Sequence, residues 1–537
     1  MNTNCKTFTN QQLNDCTKDE LVTICKILIE QNIEVCNRLE FLTQQVRLDN
    51  HRRFGSSSEK GQYADGYEQL SLLFNEAEAV SNPKVEEPTY EEIVPKPYKR
   101  KKSKGKREED LSGFPVVRIE HELSGDEKVC NICGEGLKEI TIEINKRLRL
   151  IPVHFEVEEH AVHVYGCEDA ACSNIIRADN EPPLLRGSIA TPSLVASIMN
   201  GKYVNSVPLA RQESEFNRYG VNLSRQTMAN WMIRCSEDYL SLIYDEMKKH
   251  LLFFRIIQAD ETRVQVLHEK DRKATTQSWM WLYRSGELCE GPPVILFDYE
   301  TTRNGYHPKN FLSKYCGFLT VDGYDGYHSL PDSIIVSGCF AHARRKFDEY
   351  IKSIPEEYRK ESVAWEALKR IGLLYKIEEL LKEKTTEERY KGRLKQSKPI
   401  LDDYFKWLES LVKGVDSGSL IGKAINYSLN QRKYLESYLL DGNISIDNNA
   451  TERVAKMFAT GRKNWLFCNT PSGATASAVI YSITETAKAN GLKPYEYLSH
   501  LLETISKHYT GTNLDFLKDL LPWSDRILLS CKSEKQS

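Results

Sequence analysis

The sequence has no uninterrupted apolar run long enough to cross a bilayer. Its first residues, Met1-Asn2-Thr3-Asn4-Cys5-Lys6, lack the apolar core of a secretion signal. Both absences predict a cytoplasmic chain with no membrane partner. A large charge of either sign is also missing, because the net charge is −3. Any contact with nucleic acid must therefore come from local basic patches, since phosphate binding depends on positioned Lys and Arg. Fourteen cysteines would imply disulfides in a small secreted chain, but over 537 residues they are thinly spread and most are expected to be reduced. No internal repeat interrupts the pattern. What remains is ordinary globular composition, 40% hydrophobic and 28% charged, in a chain long enough for three or more domains.

Residues 1–54 contain a long helical pattern. Leu21, Leu28, Val35 and Leu42 recur every seven residues, as do Cys25, Asn32, Leu39 and Val46, offset by four. That is the a/d spacing of a leucine-zipper-like coiled coil, with Asn32 at an a position where a buried amide fixes register and favours a dimer. An amphipathic helix packed on its own chain is the alternative. Across residues 55–114 the periodicity fades, and Lys96 to Arg107 holds eight basic residues and no acidic one. This segment reads as a basic flexible linker.

Residues 115–185 form a cysteine-bearing module. Cys130 and Cys133 make one close pair, and Cys167 and Cys172 a second, with 33 residues between the pairs. Four thiols so grouped suit one structural Zn²⁺ with no open position for water. Residues 186–250 read as helices. Within them a helix from Val207, the turn Tyr219-Gly220-Val221 and a second helix capped by Ser224 give a helix-turn-helix-like pattern. Arg225, Gln226 and Asn230 are placed on its outer face to meet DNA. A plain helical hairpin fits the same residues.

Residues 251–345 alternate strands and turns, with Asp260 and Asp322 each ending an apolar run that reads as a strand. Three strands, a helix over Pro308–Tyr315 and two more strands predict an RNase H-like α/β core. A helical insertion follows over 346–440, then a second part of the core over 441–510 and a tail over 511–537. Glu452 opens a helix in that second part, and Lys456 shares its face one turn later. Arg462 and Lys463 follow as phosphate binders. Taken singly, each acid has a bland reading: a turn or cap residue for the aspartates, and a capping box with Asn449 for Glu452. Glu261 and Asp325 compete with them. Together Asp260, Asp322 and Glu452 suit two Mg²⁺ (or Mn²⁺) ions and phosphoryl transfer on a nucleic-acid backbone.

Several ordered blocks resemble the transposases of the insertion sequence 66 family: Arg53 to Lys60, the cysteine module, Lys202 to Gln212, Ala259-Asp260-Glu261-Thr262, Asp322 to Tyr327, Gly338 to Phe347 and Asp447 to Phe467. The resemblance implies a DDE transposase with Asp260, Asp322 and Glu452 at the triad positions. It implies double-stranded DNA partners, both element ends and target, and companion proteins encoded by the same element. Joining two ends would require a homodimer or higher oligomer, nucleoid-associated when bound to DNA. Cys339 and His342 match a Cys-x-x-His block of such families; the spacing suits a metal pair, and a packing role beside the active site is expected. The fold class expected is thus multidomain α+β. Two rival functions remain open on these residues: a zinc-containing DNA-binding regulator without catalysis, and an RNase H-like nuclease that cuts without joining.

Overall fold

Runs rich in β-branched and aromatic residues between 256 and 337 fold into a five-stranded mixed sheet. The structure is a computed structural model that describes residues 17–54, 155–160, 163–166, 175–177, 182–508 and 514–533. It divides into two units, one within 77–181 and one holding the N-terminal helix with residues 182–532. In the first, β1 (Val164–Gly166) pairs antiparallel with β2 (Ile175–Arg177). Cys130, Cys133, Cys167 and Cys172, like the basic linker, lie outside the described residues.

In the larger unit, α1 (Lys18–Phe54) is followed by α2 (Pro192–Tyr203), α3 (Leu209–Arg218), α4 (Arg225–Cys235) and α5 (Ser241–Leu251). The sheet then forms from β3 (Ile256–Gln265), β4 (Gln277–Ser285), β5 (Ile295–Glu300), β6 (Gly317–Thr320) and β7 (Ile334–Ser337), with α6 (Tyr306–Phe311) before β6. Its order is β5-β4-β3-β6-β7. The β3–β4 and β4–β5 pairs are antiparallel, while β3–β6 and β6–β7 are parallel. Three strands, a helix and two strands is the order expected. The expected helix over 308–315 starts earlier and ends at Phe311, and β3 runs five residues past Asp260.

Buried helices cover the sheet. In α12 (Pro471–Ala489, after α7–α11 described below) nearly every residue from Ala474 to Ala487 is buried. Its hydroxyls solve an edge problem. Strand β5 ends the sheet, so its free backbone groups need partners. Ser482 accepts from the Phe297 N–H at 2.7 Å, and Thr486 exchanges bonds with both Ile295 N–H (3.0 Å) and C=O (2.9 Å). The i,i+4 spacing puts both hydroxyls on one helix face.

A second core is built by α7 (Phe340–Ser353), α8 (Val363–Leu381), α9 (Lys398–Leu411) and α10 (Leu420–Asn430). Phe340, Phe347, Ile371, Phe405 and Ile425 are buried there. Arg393, fully buried, pairs with Glu378 at 2.6 Å and donates to the Tyr438 and Asp441 carbonyls, so the charge is satisfied. After this core come α11 (Asn449–Trp465), α12 and α13 (Pro494–His508).

Helix α1 is continuous for 37 residues. Gln44 and Leu48 are buried, and Lys423 stands 4.6 Å from the Phe41 ring. The heptad positions Val35, Leu39, Leu42 and Val46 are 54–64% exposed. At about 100° per residue these two sets lie on nearly opposite faces of the helix.

Candidate active site

The parallel register sets the site. Gln258 stands opposite Thr320, so two residues further along each chain are Asp260 and Asp322. Strand β6 stops at Thr320, and beyond that point β3 is paired only with β4. The backbone of β3 beyond that point has no parallel strand beside it, and its Ala259 carbonyl is taken by helix α11 instead. Asp260 is therefore mid-strand rather than at a strand end; what ends there is its parallel partner.

Helix α11 is tied to the same strand. Asn448, at its N-cap and 1% exposed, donates through Nδ2 to the Ala259 carbonyl at 2.7 Å. Its Oδ1 accepts from Thr451, and Gln258 donates to the Asp447 carbonyl at 3.4 Å. Glu452 follows in the first turns. The capping-box reading of Glu452 is not what forms, because the helix starts one residue earlier and Asn448 is the cap. Instead Glu452 Oε2 accepts from Arg345 at 3.2 Å. Glu452 Oε1 faces His342 Nδ1 at 3.7 Å, and neither atom has a hydrogen-bond partner.

The electrostatics fit converging acids. Burial first, then Glu261, Asp322 and Glu452, push the Asp260 carboxyl well above the usual range, against one N–H bond from Glu261 that lowers it. Asp322 Oδ1 accepts from the Tyr324 N–H at 2.9 Å and Oδ2 lies 3.9 Å from Arg303. The competing acids are placed differently. Glu261, its side chain 1% exposed, is held by Arg303 and by the Tyr327 hydroxyl at 2.7 Å. Asp325 is 95% exposed. Arg303 itself packs 3.9 Å from the Tyr324 ring.

Among the other expected residues, Arg225, Gln226 and Asn230 share the exposed side of α4, whose Met228, Trp231 and Met232 are buried. Ser224 caps that helix through Thr227 N–H, and Gly220 takes the positive φ of +80° that the turn before it requires. Lys456 and Lys463 are exposed on α11, and Arg462 donates to the Arg263 carbonyl. Five of these six residues lie on exposed helix faces, while Arg462 is turned to strand β3. Sequence reasoning missed Arg345 and Arg303. Arg345 had a signal, since it follows His342 by three residues and so shares its helical face; Arg303 sits in a loop with none.

Carboxylate oxygens are the ligands divalent Mg²⁺ prefers. One buried oxygen of Glu452 has no protein donor, and Asp260 is under like-charge repulsion from Glu261, Asp322 and Glu452; a divalent cation would relieve both.

Comparisons along the chain agree with one class of protein. Residues 127–169 match the zinc-finger binding domain of transposase IS66, and residues 41–119 match a domain described as Transposase C of IS166 homeodomain. Residues 482–523 match the IS66 C-terminal element. These modules define a transposase with DNA-binding and zinc-binding parts. Residues 187–476, more than half of the chain, match the Transposase IS66 family, and the chain belongs to that family. Three proteins of Sinorhizobium fredii are similar over long spans. The uncharacterized protein y4qI is 28% identical over 91% of this chain and 89% of its own length. The uncharacterized protein y4hP is 29% identical over 73% of each chain, and y4jD 29% identical over 75% of this chain and 79% of its own. Among the described residues no helix is long and apolar enough to cross a membrane.

Proposed function

We propose that this transposase cuts the ends of its element and joins them to target DNA at a site formed by Asp260, Asp322 and Glu452. What supports the reading is that three carboxylates from distant parts of the chain act on one another: Asp322 and Glu452 both raise the Asp260 carboxyl, Asp260 and Asp322 each lie two residues beyond the last paired position of β3 and β6, and the Asn448–Ala259 bond ties the helix of Glu452 to β3. The strand order supports an RNase H-like core. Two Mg²⁺ (or Mn²⁺) ions held by these carboxylates would supply charge neutralisation at the attacked phosphate and ease removal of a proton from the attacking water or 3′-hydroxyl.

The protein's own groups supply the rest. Arg345 holds Glu452 towards the site and offers a cation to the phosphodiester once the carboxylate is engaged elsewhere. Lys456, Arg462 and Lys463 along α11 bind backbone phosphates, while Arg225, Gln226 and Asn230 meet the element's ends. The cysteine module, with Cys130, Cys133, Cys167 and Cys172 on a structural Zn²⁺, adds to that grip. The exposed heptad face of α1 supports pairing of two copies as a coiled coil, since an apolar stripe of this length is otherwise left in water.

The test is cleavage and joining of labelled element-end DNA with Mg²⁺, wild type against Glu452→Gln, with companion proteins supplied in parallel. Joined product lost in the variant is expected. Cleaved but never joined DNA from the wild type would turn the reading to a nuclease, and binding without cleavage to a regulator.

A further inference from the structure

One ligand atom each of Cys339, His342 and Glu452 lies within 4.8 Å of the other two. Cys339 stands at the N-cap of α7 and His342 in its first turn, so a Cys-x-x-His spacing puts both on one face. Glu452 comes from α11, whose N-cap residue Asn448 donates its N–H to Cys339 Sγ at 3.2 Å. The 3.7 Å between His342 Nδ1 and Glu452 Oε1 is too long for a hydrogen bond. It is close to the edge of a zinc tetrahedron, about 3.3–3.6 Å from metal–ligand bonds of 2.0–2.3 Å. Both atoms are buried and lack a hydrogen-bond partner, which is a state that polar atoms avoid unless something else is meant to meet them.

We propose that Cys339, His342 and Glu452 form a site for a soft or borderline divalent cation, Zn²⁺ in kind, which shares Glu452 with the oxygen-ligand site proposed for Mg²⁺. Thiolate, imidazole and carboxylate together select Zn²⁺ over Mg²⁺, which takes oxygen ligands. Binding releases the thiol proton to solvent and needs the sulfur at a bonding distance of about 2.3 Å. Arg345 and the positive end of α7 act against a cation here, while the thiolate and the carboxylate contribute two negative charges in its favour. The two oxygens of Glu452 divide the work: Oε2 stays with Arg345 and Oε1 turns to the cation. If Glu452 is the third catalytic carboxylate, as the proposed function has it, a Zn²⁺ held here removes that carboxylate from the Mg²⁺ site, and joining stops. The sequence alone suggested packing for Cys339 and His342; the approach of Glu452 is what changes the assignment.

Co²⁺ reports the site without reference to activity. Full-length wild type, Cys339→Ser and His342→Ala are each saturated with Zn²⁺ at the cysteine module and titrated with Co²⁺, following thiolate-to-cobalt charge transfer in the near ultraviolet. The expected result is a band in the wild type that is absent in Cys339→Ser, with at least about tenfold weaker binding in His342→Ala. Identical bands in wild type and Cys339→Ser overturn the site. His342 is partly exposed, so its variant remains informative if the Cys339 variant is unstable. In parallel, Zn²⁺ is added to Mg²⁺-supported joining, each protein normalised to its own rate without zinc. Inhibition relieved in Cys339→Ser supports the shared carboxylate, and equal inhibition in both overturns it. Glu452→Gln separates the two readings. Lost joining with no cobalt band in the wild type keeps the catalytic reading and sinks this one; a cobalt band with joining intact in Glu452→Gln does the reverse.

Discussion

The side-chain amide of Asn448 donates to the backbone carbonyl of Ala259 at 2.7 Å across 189 positions of sequence. That bond sits one residue from Asp260 on the strand and four from Glu452 on the helix. It thus fixes the helix that carries one carboxylate to the strand that carries another. Asn448→Ala leaves a buried carbonyl and the Thr451 hydroxyl without their partner, at a cost of about 1–3 kcal/mol. A shift of about 1 Å in Glu452 is expected to slow joining by about a hundredfold. Thermal unfolding and strand-transfer rates measure both; a folded variant with wild-type joining would show that the tether does not position Glu452.

Asp260→Asn should abolish joining yet stabilise the metal-free protein. Burial and neighbouring acids raise the Asp260 pKa in the folded state. A raised carboxyl pKa means folding is favoured by its proton, an advantage present below the ordinary range and lost as pH rises through the folded value. Asparagine is neutral throughout and keeps the acceptor for the Glu261 N–H. Its melting temperature without metal should exceed wild type by about 2 °C at pH 8, and the gap should close on acidification. Added Mg²⁺ should raise the wild-type value only. A lower melting point in the variant at pH 8 would contradict the repulsion argument.

Asp298 offers a second titration away from the carboxylate cluster. Burial, with Glu300 adding to it and Lys248 opposing, pushes its carboxyl up to about 7. By the same sign, its contribution to stability is full below about 4 and disappears as pH passes 7. Denaturant unfolding of Asp298→Asn between those values should show a flatter pH dependence than wild type. Parallel curves would mean that Asp298 is ionised in the folded protein at lower pH than its burial suggests.

Thr486→Val keeps the shape of the side chain and removes the hydroxyl that serves the β5 edge. Two buried backbone groups of Ile295 lose their partner, so a loss of about 1–3 kcal/mol is expected. Joining per folded molecule should be unchanged, since the bond lies on the far edge of the sheet. Chemical denaturation reads the first and a rate at low temperature the second.

Leu39→Glu together with Leu42→Glu introduces charge on the exposed face of α1 and leaves its buried Gln44 and Leu48 untouched. Sedimentation should show self-association lost while the melting of the catalytic unit persists. An unchanged oligomer would place the subunit contact elsewhere.

Patterns that depend on near neighbours were legible. The apolar runs ending in acid gave β3 and β6, the Ser224 cap gave α4, and the heptads gave a continuous α1. Boundaries that depend on distant partners were not. Strand β3 outruns its apolar run because what ends there is its parallel neighbour, not the strand itself. Asn448 and Asn449 are equally good caps for α11, and only the carbonyl of Ala259 distinguishes them.

By itself the sequence determined the residue types and their order: three well-separated acids, a Cys-x-x-His block, basic helix faces and an apolar stripe. Local periodicity and side-chain chemistry are enough for that, since both act over one or two turns. Only the tertiary structure decided which acids are free. Arg303 and Tyr327 engage Glu261, and Asp325 is left in solvent, whereas Glu452 is brought against Arg345, His342 and Cys339. Those outcomes rest on hydrogen bonds and charge contacts between segments up to about two hundred residues apart, which no local pattern encodes.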